Sequence, residues 1–367
     1  MRLSVSVDQF SRAVQTVAPV TLASNLNPIL SQLRLSTDED GVLVSATNND
    51  QTISIRIEAE IAQPGSTLIN PKQIAAILKE GRDETAKIET VGTTASVRIG
   101  RAEYTLATTG DEGYPTDDGA VREPAFSIDT VSLKEMILAT RYAAMKQESA
   151  RWATSGILLE ANDAEAVMCG TDTKRLSIAA KPAAVKSPIA LADAVILPLP
   201  AIESLLKLCD WGEVVCCDIG KTARFYTDSW SFGTSLVSGR FPPYREILPK
   251  NHKHDVTIEA GPFASAIRQA MVTADVDSRR VNFVFRKGEI ELTATGPDTG
   301  RSRVVFECPG CEIEDFEIAL DPKYMLDYLQ SQTGAVCLKM TDGAKPVTLK
   351  GESNQIYLVM PMTAEKG

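Results

Sequence analysis

One pattern occurs three times along this chain of 367 residues, and it restricts the fold more than any single motif does. Each copy opens with a short alternating stretch and then repeats apolar positions at i, i+3, i+4 and i+7. The first set is Phe10, Ala13, Val14 and Val17; the third is Phe263, Ala266, Ile267 and Ala270. The second is Leu133, Met136 and Ile137, with Thr140 closing it. That spacing draws one stripe along a helix. A hairpin signature follows each stripe. Leu33 to Leu35 lead through Asp38-Glu39-Asp40-Gly41 into Val42 to Ala46. Ile157 to Leu159 lead through Asn162-Asp163 into Ala166 to Gly170, and Val281 to Phe285 through Lys287-Gly288 into Ile290 to Ala294. A second helix then starts near Pro71, near Pro198 and Pro200, and near Pro322, because proline suits a first helical turn. Gly81, Gly212 and Gly334 follow these segments.

The repeat predicts an α+β chain of three tandem domains, 1–123, 124–250 and 251–367. Each is expected to be mostly antiparallel sheet with two helices on one side. The boundaries fall at Arg122-Glu123-Pro124 and Pro249-Lys250-Asn251-His252, which are polar and proline-containing.

Composition narrows the function. No apolar run is long enough to span a bilayer, and Met1 to Val7 alternate without a signal-peptide core, so a cytoplasmic protein with no membrane partner is expected. The formal charge of −10 argues against a small basic DNA-binding domain. It leaves room for a chain that gathers its cations on one face. Cys216-Cys217 lie in a strand pattern and read as packing residues. Cys308-Pro309-Gly310-Cys311 has no second ligand pair nearby, so no metal is expected. Gly220-Lys221-Thr222 lacks the upstream glycine of a phosphate loop, since Val215 stands there, and it leads into a strand pattern. His252 and His254 are the two histidines, both in a linker. No nucleophile–base pair or paired-carboxylate pattern emerges, so no catalytic residue and no cofactor are assigned.

Three segments carry a family resemblance: Thr171-Asp172-Thr173-Lys174-Arg175-Leu176, Gly239-Arg240-Phe241-Pro242-Pro243-Tyr244-Arg245-Glu246-Ile247-Leu248-Pro249, and Tyr357-Leu358-Val359-Met360-Pro361-Met362. In this order and at these distances they resemble the beta subunit of bacterial DNA polymerase III, the sliding-clamp family. The resemblance implies a non-catalytic subunit of the polymerase holoenzyme. Two copies would join head to tail into a ring around duplex DNA, with helices lining the hole. Its partners would be the replicative polymerase alpha subunit, the clamp loader delta subunit and other proteins bearing a short clamp-binding motif of the Gln-Leu-x-Leu-Phe type.

The resemblance also implies sites. A peptide pocket between domains two and three would draw on Thr154, Thr171, Thr173, Lys174, Arg175, Leu176, Pro242, Ile247, Leu358, Val359, Met360, Pro361 and Met362. Tyr104 and Leu106 would meet Met271 and Val272 across the dimer interface. The family places DNA contacts at Arg151 and Trp152; to these the placement of cations on or beside the predicted helices, off the apolar stripes, adds Lys72, Lys79, Arg82, Lys146 and Lys207, with Arg12, Lys134, Arg141, Arg268, Arg279, Arg280 and Lys323 as further candidates. The chain departs from the family at Thr173-Lys174, where a small residue and histidine are common, and at Thr154, Ala153, Ser24 and Glu246. These departures alter the pocket rim and the DNA rim. Two other classes compete: an enzyme of nucleotide metabolism, which turnover would reveal, and a monomeric peptide-binding adaptor, which failure to dimerise would reveal.

Overall fold

In the computed structural model of the chain, the described residues are 1–21, 27–115, 123–146, 153–275 and 279–362. Six α-helices occur among them: α1 (Val7–Val17), α2 (Pro71–Glu80), α3 (Thr130–Thr140), α4 (Leu199–Leu208), α5 (Ala260–Ala270) and α6 (Pro322–Leu329). Every residue of the three sequence stripes is buried, from Phe10 and Val14 in α1 to Phe263 and Ala270 in α5. Side chains satisfy some of the free N–H groups at the helix starts. Ser6 accepts from the Gln9 N–H of α1. Asn70 accepts from Lys72 and Gln73 in α2, and Asp321 accepts from Lys323 in α6. The predicted prolines Pro71 and Pro322 open α2 and α6.

The predicted hairpins form with antiparallel registers. Leu35 faces Val44, Leu159 faces Met168, and Phe283 faces Leu292. Gly220-Lys221 is a hairpin turn between Val214–Ile219 and Thr222–Tyr226, with the Gly220 N–H bonded to the Thr222 carbonyl, not a strand-to-helix phosphate loop.

Two compact units result: Met1–Lys134 with Ala183–Pro188 and Pro200–Leu236, and Glu135–Pro182 with Ile189–Leu199 and Val237–Gly367. The middle repeat contributes strands to both. In the first unit a nine-stranded sheet runs in the order Ala184–Val185, Phe126–Asp129, Val214–Ile219, Thr222–Tyr226, Trp230–Ser235, Gln51–Ile57, Val42–Thr47, Leu33–Thr37, Ser66–Ile69. Trp230–Ser235 joins Gln51–Ile57 with Phe232 opposite Ile53. A five-stranded sheet completes that unit: Ala59–Gln63, Arg2–Ser6, Thr85–Val91, Thr94–Ile99, Ala102–Ala107. α1 lies on Val42–Thr47 and Gln51–Ile57 and packs against α2.

The second unit has an eight-stranded sheet: Ile196–Pro198, Gly156–Asn162, Glu165–Thr171, Arg175–Pro182, Ile356–Val359, Val347–Lys350, Ala335–Met340, His254–Glu259. A four-stranded sheet accompanies it: Gly300–Glu307, Glu289–Gly296, Val281–Arg286, Phe316–Leu320. α5 packs on Glu289–Gly296, Gly300–Glu307 and α6. Its Phe263 is fully buried, against Phe283 and Phe306 with ring centroids 6.2 and 5.1 Å apart. Burying one such ring stabilises by about 1.5–3 kcal/mol. Cys308 and Cys311 are reduced and buried in this core. Among the described residues no helix is long and apolar enough to cross a membrane.

Candidate functional site

The eight-stranded sheet brings two of the resembling segments together. Leu176 pairs with Leu358, Arg175 pairs with Val359, and Val359 pairs on its other side with Val347. Neighbouring residues in a strand face opposite ways. Leu176 and Leu358 therefore point into a cluster with Leu158, Phe241 and Tyr244, while Val347 and Val359 enter the core that holds Phe263 and Tyr357. At the open end of these strands is a recess of about 170 Å³. Thr171, Thr173, Arg175, Leu176, Pro242, Ile247, Pro346, Leu358 and Met360 line it. Its exposed surface is mostly apolar, and Met360 and Ile247 stand 41% and 52% exposed.

The turn that supplies one wall is tightly tied. The Thr171 hydroxyl donates to the Arg175 carbonyl at 2.6 Å and accepts from the Thr173 N–H at 3.1 Å. Asp172 accepts from the Lys174 and Arg175 N–H groups, each at 3.0 Å, and pairs with the Arg175 guanidinium at 2.9 Å. Arg175 also meets Asp327 at 2.5 Å and lies over the Tyr324 ring, 4.5 Å from its centroid. Gly170 sets the depth of this wall: a Cβ there would fall 2.5 Å from the Thr140 carbonyl oxygen. Only glycine lets the strand approach the end of α3 so closely.

The second wall rests on a buried carboxylate. Glu160 is 1% exposed; it accepts from the Tyr244 hydroxyl at 2.5 Å and from Arg245 at 2.9 Å. Burial, and then this hydrogen bond to Glu160, push the Tyr244 hydroxyl well above the usual phenol range, so it stays a donor. Pro242 and Ile247, which line the recess, flank and end this same Tyr244–Ile247 turn.

The structure separates other residues from the recess. Val359 faces the opposite side of its strand from Leu358 and Met360, and it is core. Thr154 is fully buried, with its hydroxyl 3.8 Å from the Met145 sulfur. Lys174 is exposed and contributes its carbonyl, which accepts the Met360 N–H at 2.8 Å. Pro361 is half-buried outside the lining, and Met362 instead donates its N–H to the Ala319 carbonyl at 2.8 Å. Pro346 carried no sequence signal of its own. Its place follows from the pairing of the next residue, Val347, with Val359.

Two smaller sheets end in open edges. Ala102–Ala107 is the last strand of the five-stranded sheet and carries Tyr104, half-buried, and Leu106, 8% exposed. Leu106 thus serves its own unit's packing first. Gly300–Glu307 is the last strand of the four-stranded sheet. Met271 and Val272 follow α5 beside it, where the Ser302 hydroxyl donates to the Ala270 carbonyl at 2.6 Å. Met271 is half-buried and Val272 is 75% exposed.

The candidate cations differ in how they are held. Lys72 and Lys79 lie on the exposed side of α2, with Arg82 just beyond it, and Lys207 is exposed on α4. Lys146, Arg268, Arg279 and Lys323 are exposed as well, and Arg280 and Arg141 are half-buried. Arg12 lies over the Trp211 ring at 4.3 Å and donates to the Asp210 carbonyl; Lys134 meets the Asp210 carboxylate at 2.6 Å. Arg151, Trp152 and Ser24 lie outside the described residues.

The chain is thus a series of repeated α+β modules with an apolar recess, the size of a side chain, where Arg175–Pro182 meets Ile356–Val359. The sequence profiles of the DNA polymerase III beta subunit match the chain end to end: the N-terminal domain over residues 1–118, the central domain over 127–243 and the C-terminal domain over 245–363. The beta sliding clamps of Salmonella typhimurium and Escherichia coli are each 26% identical over 99% of this chain and 100% of their own. Two solved structures share the fold. The beta subunit of Thermotoga maritima matches with TM-score 0.90 at 20% identity, over 99% of both chains. The sliding clamp of Pseudomonas aeruginosa bound to griselimycin matches with TM-score 0.91 at 23% identity, over 99% of this chain and 100% of its own. The chain belongs to the DNA polymerase III beta subunit family.

Proposed function

We propose that this chain is a DNA sliding clamp, a processivity factor without catalysis of its own. Two copies close head to tail around duplex DNA and tether the replicative polymerase alpha subunit, the clamp loader delta subunit and other motif-bearing proteins. The observation that carries the reading is the recess where Arg175–Pro182 meets Ile356–Val359, in a chain matched along its length by one family. At about 170 Å³ the recess is smaller than the roughly 300–1,000 Å³ of small-molecule sites, and it suits side chains of a docked peptide. Methionine at its rim adapts to several partners.

The three domains are 1–123, 124–250 and 251–367, a division supported by the three profile matches. The open strand Ala102–Ala107 of one copy would pair with Gly300–Glu307 of the other, joining a five-stranded and a four-stranded sheet and hiding two sticky edges. Tyr104 and Leu106 would then meet Met271 and Val272. Lys72, Lys79, Arg82, Lys146 and Lys207 would face phosphates without reading sequence, as sliding requires. Arg12 and Lys134 are partly engaged by Asp210 and would contribute less. The protein works in the cytoplasm, where its DNA is.

Light scattering tests the assembly. The expected native mass is twice the 39.6 kDa chain mass at micromolar concentration. A particle of one chain mass would favour a monomeric adaptor and refute the ring.

A further inference from the structure

Thr173 holds φ at 74°, in the left-handed region. The other non-glycine residues with positive φ among the described ones are Asn49, Asp163, Ala194 and Arg279, so Thr173 is the one β-branched side chain there. A branched Cβ is poorly tolerated in that conformation, which persists only where surrounding bonds over-determine it. Here they do. Thr171 and Asp172 fix the backbone of the turn through the hydrogen bonds described above, and none of them uses the side chain of residue 173. Glycine or asparagine would fit the same backbone with less strain. Core packing does not call for threonine either, because the residue is exposed. Its hydroxyl makes no hydrogen bond among the described residues. What its side chain does do is line the recess, together with Pro242, Ile247 and Met360.

We propose that Thr173 is a specificity-determining residue of the recess: its branched side chain narrows the opening and limits the size of the peptide side chain that anchors there. The inference rests on the peptide-docking reading above and names what that site accepts. An apolar cavity of about 150 Å³ holds one benzene. A recess of about 170 Å³ is therefore scaled to a leucine side chain or a single phenyl ring and fits an indole less well.

The test uses the full chain and pentapeptides Gln-Leu-x-Leu-Z, with Z leucine, phenylalanine or tryptophan, titrated calorimetrically. Wild type should bind the leucine and phenylalanine peptides and bind the tryptophan peptide roughly tenfold more weakly, the scale at which a tight apolar pocket discriminates. Thr173→Ala and Thr173→Gly should each raise the tryptophan-to-phenylalanine affinity ratio about fivefold or more. Thr173→Val, which keeps the branch and removes the hydroxyl, should keep the wild-type ratio. If the ratio in Thr173→Ala and Thr173→Gly stays near that of wild type, while Met360→Ala still weakens the phenylalanine peptide at least tenfold, the Thr173 inference is overturned and the docking reading stands. A wild-type chain that binds none of the peptides overturns both.

Discussion

Glu160 and Met360 mark the two ways in which single residues build this site. Glu160 never touches the recess, yet its buried carboxylate holds Tyr244 and Arg245, and so the turn that ends at Ile247. Removing it strands the Tyr244 hydroxyl in an apolar cluster. Because Arg245 is half exposed and can rehydrate, Glu160→Ala should cost about 1–3 kcal/mol, the range for one unsatisfied buried group, and not the larger penalty of a fully buried pair. Urea titration checks this; an unchanged midpoint would show that the network is dispensable. Met360 acts directly. Met360→Ala should weaken a Gln-Leu-x-Leu-Phe peptide at least tenfold, about 1.4 kcal/mol, whereas Met362→Ala should change it little, because Met362 lies outside the lining. Equal losses in both variants would contradict the placement. Most of the recess was legible in the sequence because the three resembling segments are contiguous strings. Val359 was misplaced among its walls because a string does not say which residues face which way; the period of two in the strand decides it. Pro346 could be found only once Val347 was known to pair with Val359, a contact between segments that sequence periodicity does not encode.

At the scale of elements, local pattern and structure agree where the determinants are local. Phe10, Ala13, Val14 and Val17 specify α1 by spacing alone, and Lys287-Gly288 joins its two strands in a tight turn. Open edges are different, since only the assembled sheet order shows that Ala102–Ala107 and Gly300–Glu307 are last in line. That order makes Val272 the sharpest probe of the subunit contact. It is 75% exposed in the single chain, so Val272→Asp should leave the fold intact. In the dimer the same charge would be buried without a partner, at a cost of several kcal/mol. Sedimentation should show a shift from two chains to one with an unchanged circular dichroism spectrum. A variant that remains dimeric would move the interface elsewhere.

For the whole molecule, the repeat foretold three modules, while compactness divides the described chain into two units that share the middle one. The reason is pairing at long range: Trp230–Ser235 joins Gln51–Ile57, and Arg175–Pro182 joins Ile356–Val359. Neither partnership leaves a trace in local spacing. The chain's net charge of −10 also has a consequence at this scale. A protein held on DNA by attraction alone would lose affinity steeply with salt, whatever the form of the DNA. A closed ring is held by topology. The most direct measurement is therefore retention on DNA after loading by a clamp loader, on a closed circle and on the same circle cut once, washed at moderate salt. The protein should remain on the closed circle and leave the cut one by running off its ends. Equal retention on both would contradict encirclement and, with it, the clamp.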